Sequence, residues 1–289
     1  MASAAIGQGD IAEGCDRLAQ AGCAPGEWRW IDADKAADLF FTSDPAGARA
    51  ALRGVGRGVD VIVQPAASRE KKLIVADMDS TMITVECIDE LADYAGIKDQ
   101  IAEITERAMQ GELDFAQALR ERVALLKGLD DAVIDQCRTE RVKIMPGAKA
   151  LIGTMRERGA RAILVSGGFT RFTGPVAEEI GFDTAVANVL DIRDGKLTGT
   201  VQAPIVDAAR KRFELSAAMA QHRLTQEETL AVGDGANDIP MIEAAGLGVA
   251  YHAKEKARAA ADAEIVHGDL SVLLYAQGIA RSDWVETGA

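Results

Sequence analysis

Two aspartates one residue apart, Asp77 and Asp79, follow directly on the apolar run Leu73-Ile74-Val75-Ala76. The run has no polar alternation, which suits a parallel strand covered on both faces. Open α/β sheets place ligands at the carboxyl ends of such strands. Two carboxylates this close repel, so the pair calls for a divalent cation, a shared proton, or both. That is the pattern of phosphoryl transfer through an aspartate. Two more polar sets follow apolar runs. Ser166-Gly167-Gly168-Phe169 comes after Arg161-Ala162-Ile163-Leu164-Val165, and Gly233-Asp234-Gly235-Ala236-Asn237-Asp238 comes after Thr229-Leu230-Ala231-Val232.

To bring these ends together the strands must lie parallel with helices between them. Helical spacing from Pro146 to Arg158, with Pro at the start and Gly159 at the end, supplies one connection, and Phe169 to Gly181 supplies another. Leu247 to Tyr251 and Glu264 to Val266 are weaker strand candidates. Val189 to Ile192 and Lys196 to Val201 flank Asp194-Gly195, a hairpin signal, so a small antiparallel flap is expected to project from the sheet. From Glu90 to Arg141 strand signals are missing. Ile101, Ile104 and Ala108, then Phe115, Leu119, Val123 and Leu126, recur at helical spacing and predict a helical cap, with most of these residues serving as its packing.

Residues 1–70 form a separate block with no catalytic cluster. Helices are expected over Ile11 to Ala21 and Pro45 to Arg53, the second capped by Asp44, and strands over Glu27 to Ile31, Ala37 to Thr42 and Val59 to Val63. The expected organisation is a small α/β domain over 1–70, a core over 71–89 and 142–289, and the cap over 90–141.

Composition narrows the class. A chain of 289 residues, 48% hydrophobic, can bury a full core beside a smaller domain. A net charge of -13 argues against nucleic acid as a partner. Four cysteines without C-x-x-C spacing and three histidines argue against zinc and disulfide scaffolds. No apolar run approaches membrane-spanning length, and the N-terminus carries Asp10, Glu13 and Asp16 rather than a signal pattern. A cytoplasmic enzyme with no membrane partner is the expectation.

Taken jointly, Asp77-Met78-Asp79-Ser80-Thr81, Ser166-Gly167-Gly168-Phe169 and Gly233-Asp234-Gly235-Ala236-Asn237-Asp238, in this order and with a helical insertion after the first, resemble the haloacid dehalogenase superfamily. The similarity covers roughly residues 71 to 280 and is specifically to its phosphoserine phosphatase family. It implies an α/β, Rossmann-like core with a mainly parallel sheet, and hydrolysis of O-phosphoserine in the last step of L-serine biosynthesis. It implies Asp77 as nucleophile, forming an aspartyl-phosphate, and Asp79 as acid and base, which a strand period of two would place on the same side. Mg²⁺ would be bound by a carboxylate oxygen of Asp77, the backbone carbonyl of Asp79 and the Asp234 side chain. Asp238 would either orient these groups or serve as a helix N-terminal charge.

The same resemblance gives the phosphate Ser166, the amides of Gly167 and Gly168 at a helix start, and Lys211. Arg210-Lys211-Arg212 is a charge run, so neighbouring arginines compete for that role. A phosphoserine pocket also needs an acid for the ammonium and a base for the carboxylate. Glu86, nine positions after Asp77 as in the family, and Arg122 fit, with Arg120 as the rival of Arg122. Met109 and Phe115 would line the apolar side, and Asn237 would touch substrate or orient its neighbours. A related phosphatase or phosphotransferase for another small metabolite, or a sensor that lost turnover, are the alternatives, and the intact acidic set opposes the last. The first 70 residues resemble a diverged amino-acid-binding ACT-like module that lacks an obvious first strand. Serine sensing by it is doubtful, and homodimer contacts or packing against the core are its alternatives.

Overall fold

The computed structural model describes residues 1–2, 5–109 and 112–285. The first block contains α1 (Gln8–Gln20), an antiparallel hairpin of β1 (Pro25–Asp32) and β2 (Ala36–Phe41), and α2 (Pro45–Leu52). Asp44 caps α2 as expected, its carboxylate accepting the Gly47 N–H at 2.9 Å ahead of Pro45. Leu18, Ala48, Leu52 and Val55 close a small core of its own. The strand expected over Val59 to Val63 does not form. Asp60 makes only an isolated bridge to Ala2. Its buried carboxylate accepts the N–H groups of Val266, His267 and Gly268 at 2.9, 3.2 and 2.7 Å. The side chain therefore ties this segment to a distant loop, and its backbone joins no ladder.

The remaining elements are β3 (Leu73–Ala76), α3 (Cys87–Ala95), α4 (Lys98–Met109), α5 (Phe115–Leu125), α6 (Ala132–Arg141), α7 (Ala148–Glu157), β4 (Arg161–Phe169), α8 (Thr170–Ile180), β5 (Thr184–Asn188), β6 (Leu190–Arg193) and β7 (Lys196–Val201). They are followed by α9 (Ala208–His222), β8 (Thr229–Gly233), α10 (Ile239–Ala244), β9 (Leu247–Tyr251), α11 (Glu255–Ala260), β10 (Ala263–Ile265) and α12 (Val272–Ala276). Six strands pair in the order β10-β9-β8-β3-β4-β5, all parallel. The α/β core with a helical insertion is as expected. No helix among the described residues is long and apolar enough to cross a membrane.

β3 lies at the centre, in register with β4 and β8 so that Ala76 faces both Leu164 and Val232. The three carboxyl ends are thus level, and whatever follows each strand meets the others. All four β3 residues are buried. Ile74 and Ala76 feed the larger core, whereas Leu73 and Val75 pack with Leu215 and Ala218 of α9 and Met241 of α10. Period-two alternation then directs the next odd residue, Asp77, towards α9. Burying side chains such as Leu73 and Val75 contributes roughly 1.5–3 kcal/mol each, so the groove in which Asp77 sits is fixed by core packing.

The hairpin β6–β7 forms but is not a free projection. Gly128 donates to the Leu197 carbonyl at 2.8 Å, Leu197 to Leu129 at 2.9 Å, and Asp131 to Gly195 at 2.9 Å. The inserted helices are fastened to the core through this hairpin. β5 is an element that the sequence pattern does not reveal, because its five residues, Thr-Ala-Val-Ala-Asn, are short and weakly apolar.

Candidate active site

Asp77 leaves β3 with its N–H still in the ladder, donating to the Val232 carbonyl at 3.0 Å. The chain then turns sharply, since the Met78 carbonyl accepts from Thr81, Met82 and Ile83. Ser80 occupies the left-handed region at φ 56, a conformation that costs a non-glycine residue about 1–3 kcal/mol. Asp79 is held on this turn. One of its oxygens, Oδ1, is buried with no hydrogen-bond partner among the described residues.

Lys211 resolves the charge run on α9. Its side chain is 1% exposed, and its Nζ lies 2.5 Å from Asp77 Oδ1 and 2.6 Å from Asp238 Oδ1. Arg210 instead pairs with Glu214 on its own helix, and Arg212 faces solvent. Burial alone would lower the Lys211 pKa, but Asp238 and Asp77 raise it above the ordinary lysine value, so it stays an ammonium. Asp238 is fully buried and also accepts the Gly235 N–H at 3.0 Å. Although it precedes α10, its side chain makes no cap bond to that helix. The orienting alternative is the one its contacts match. At Gly233 any side chain would collide with Asp238, which accounts for glycine there.

Asp77, Asp234 and Asp238 each offer one oxygen, and these atoms all lie within 4.8 Å of one another. Burial, followed by Asp238, pushes the Asp77 carboxyl well above the carboxylate range against the pull of Lys211. Burial and then Asp238 and Glu86 push Asp234 up to about 6. A set of hard oxygen donors whose mutual repulsion exceeds what one lysine balances fits a divalent cation. For Asp79, burial and then Glu86 push the carboxyl up to about 7 against hydrogen bonds from Cys87. An acid poised near neutrality can both give and take a proton.

β4 supplies the next groups. The Ser166 side chain is buried, with its Oγ accepting the Gly168 N–H at 2.8 Å. A Cβ placed on Gly168 would lie 3.1 Å from Asp79 Oδ2, so this segment faces the aspartates. Gly167 and Gly168 do not sit at a helix start, as the sequence suggests. They lie in the last residues of β4, and α8 begins at Thr170. Register explains this. Val165 pairs with Val186 and Phe169 with Asn188, so four steps on β4 answer two on β5 and Ser166-Gly167-Gly168 bulges from the ladder.

The inserted helices close over this end. Phe115, the first residue of α5, packs on Gly167, where a Cβ would lie 2.9 Å from its Cζ. Arg122 is half-buried and its Nε donates to the Ala118 carbonyl at 3.3 Å, whereas Arg120 is exposed. Burial lowers the Arg122 pKa, offset by Asp89, Glu86 and Asp79, which places the guanidinium among the site's carboxylates. Glu86, exposed ahead of α3, accepts the Ser80 hydroxyl at 2.6 Å. Asn237 lies in the tight turn between Asp234 and Asp238, with its Oδ1 against Gly235. The Met109 side chain lies outside the described residues. Asn188, buried beneath Gly167, is a member of the site that the sequence pattern does not flag, and its only signal is an amide ending the run Ala185-Val186-Ala187.

The haloacid dehalogenase-like hydrolase family model matches residues 74–243. The chain is 44% identical over 243 residues to a phosphoserine phosphatase of Streptomyces coelicolor, covering 83% of this chain and 59% of that protein. It is 47% identical over 208 residues to a phosphoserine phosphatase of Albidiferax ferrireducens, covering 70% and 88%. A solved phosphoserine phosphatase structure with a phospho-aspartyl intermediate analogue superposes with TM-score 0.66 at 40% identity, covering 71% of this chain and 98% of that one. The chain spans 59%, 61% and 55% of the length of three of its curated relatives. With the motif residues converging at one sheet edge and this similarity spanning most of the chain, the protein belongs to the haloacid dehalogenase-like hydrolases and groups there with the phosphoserine phosphatases.

Proposed function

We propose that this chain is a magnesium-dependent phosphoserine phosphatase that cleaves O-phosphoserine to serine and phosphate through an aspartyl-phosphate on Asp77, the last step of L-serine biosynthesis. The observation that carries the proposal is the pairing of two differently tuned carboxylates on one turn. Asp77 is locked to Lys211 at 2.5 Å, while Asp79 is held near neutrality. The names of the relatives, one of them a phospho-aspartyl analogue, support the same chemistry. Four free cysteines agree with action in a reducing cytosol.

An Asp77 oxygen attacks phosphorus as the bond to the serine oxygen breaks, and the Asp79 proton passes to that leaving oxygen. Serine departs. Asp79, now a carboxylate, takes a proton from the water that attacks the aspartyl-phosphate, and phosphate leaves with Asp77 restored. The Ser166 hydroxyl and the Gly167 amide face the phosphoryl oxygens, and Lys211 offsets the charge that grows on them. Bound by Asp77, Asp234 and the Asp79 carbonyl, Mg²⁺ would reduce repulsion between the attacking carboxylate and the phosphate. Asp238 keeps Lys211 in place from the far side.

Selectivity belongs to the insertion and the segment that leads into it. Arg122 takes the substrate carboxylate and Glu86 its ammonium, so a zwitterionic head is matched by one charge of each sign. Phe115 covers Gly167 and excludes water, and Asn237 contacts the substrate from the core side. Phosphate release from phosphoserine, phosphothreonine and sugar phosphates, with magnesium and with chelator, tests the proposal. Phosphoserine is expected to have the highest kcat/KM, with activity lost on chelation. Preference for a substrate without an amino-acid head would overturn the roles of Glu86 and Arg122.

A further inference from the structure

Asn188 is buried to 1% exposure at the carboxyl end of β5, where the sheet ladder fails. The bulge at Ser166-Gly167-Gly168 removes the Gly167 carbonyl from regular pairing with β5. Asn188 replaces the missing ladder partner with its side chain, donating from Nδ2 to the Gly167 oxygen at 2.8 Å. The other end of the same amide accepts the Val206 N–H at Oδ1, also at 2.8 Å, and Nδ2 lies 3.5 Å from the Val206 carbonyl. Which end is oxygen follows from these partners, because an N–H and a carbonyl demand opposite ends of the amide.

Val206 directly precedes Asp207, which caps α9 by accepting the Arg210 N–H at 2.9 Å. Lys211 stands one residue further along. One buried side chain therefore fixes both the bulge that carries the phosphate-facing groups and the root of the helix that carries Lys211. These two elements come from opposite sides of β6 and β7 in the chain, so no local sequence contact sets their spacing. We propose that Asn188 is a positioning residue for phosphoryl transfer, setting the separation between the Ser166-Gly168 bulge and Lys211 without touching substrate. This rests on the phosphatase function proposed above.

The proposal predicts losses confined to the phosphate end. A displacement of about 1 Å in a reacting group can cost on the order of a hundredfold in rate, so Asn188→Ala should lower kcat between about tenfold and a hundredfold on phosphoserine. The same fold-loss should appear with p-nitrophenyl phosphate, which lacks the serine head. Inhibition by inorganic phosphate should weaken, while inhibition by L-serine, which uses Glu86 and Arg122, should be unchanged. A merely structural role would lower the melting temperature and leave kcat per folded molecule intact, and that result would overturn the proposal. Loosening of both inhibitors together would overturn it equally.

Should Asn188→Ala not fold, Asn188→Asp carries the test. It keeps an acceptor for the Val206 N–H but sets a carboxylate oxygen against the Gly167 carbonyl. Its kcat should fall at least as far as in Asn188→Ala, and full activity would sink the idea. Failure of the wild-type chain to hydrolyse phosphoserine while it still cleaves p-nitrophenyl phosphate would count against the substrate assignment and leave the Asn188 comparison measurable.

Discussion

Around the carboxyl ends of β3, β4 and β8, the side chains of Asp77, Ser166, Lys211 and Asp238 are buried and held from behind. Lys211 is gripped by two aspartates, Asp238 by a lysine and a backbone amide, and Ser166 by Gly168. At the cap end the polar groups are long, more exposed and held by single bonds, Glu86 to Ser80 and Arg122 to its own helix carbonyl. The difference separates two tasks. Charge that develops in a transition state is best met by dipoles and charges fixed beforehand, and a sheet edge with buried partners provides that. A head group that must enter and leave is better met by long side chains near the surface, which can shift without disturbing the core.

The contrast can be broken first at its rigid end. Asp77→Asn keeps shape and removes the nucleophile, so turnover should fall by about four orders of magnitude or more, with an unchanged circular dichroism spectrum. Rate above a few per cent of wild type would remove Asp77 from the attacking role. Lys211→Ala comes next. It should cost about 10²–10³ in kcat and leave Asp77 and Asp238 buried with no cation between them. Breaking such a buried pair destabilises by about 3–5 kcal/mol, so urea unfolding should show a large loss, greatest in chelator. Unaltered stability would mean that the two carboxylates are protonated rather than paired.

Arg122→Ala probes the adaptable end. Losing one charge-assisted contact of about 1.5–3 kcal/mol should raise KM for phosphoserine by roughly 10- to 100-fold with a smaller change in kcat. Hydrolysis of p-nitrophenyl phosphate should be unaffected. Arg120→Ala, on the exposed face, is the control and should do nothing. Equal effects of the two substitutions would remove the geometric distinction between them.

The two ends were also unequally legible. The phosphate end could be read because the sheet forces it: a buried strand must end, and the polar groups at three such ends, acids after β3 and β8 and a serine on β4, must meet. Lys211 was ambiguous only as a charge run. Its phase with Leu215 and Ala218, all three buried on one face of α9, separates it from Arg210 and Arg212. Asn188 is not legible in the sequence because its meaning lies in a register shift between β4 and β5, which no single segment records. The Val59 to Val63 run failed as a strand for a related reason. Alternation measures burial, and here the buried Asp60 side chain serves loop 266–268 in place of a neighbouring strand.

The smallest effect sharpens the contrast from outside the site. The first block meets the core through Arg69, which holds Asp38 at 2.7 and 2.8 Å and also donates to the carbonyls of Tyr275 and Ala276 at 3.2 Å. Burial works to raise the Asp38 pKa, but Arg69 and then Arg29 outweigh it, and the carboxyl lies below its ordinary value. A carboxyl depressed in the folded state contributes stability that is fully present above its unfolded pKa of about 3.9 and is lost as pH falls through the lower, folded value. Asp38→Asn should therefore lower the melting temperature at pH 7 by a few degrees or less. The gap between wild type and variant should close below about pH 4. Because Asp38 belongs to the first block and makes none of the contacts of Asp77, kcat at pH 7 should be the same in both proteins. A change in kcat would show that the docking of the first block reaches the rigid end of the site, and the separation between scaffold and chemistry drawn above would have to be redrawn to include it.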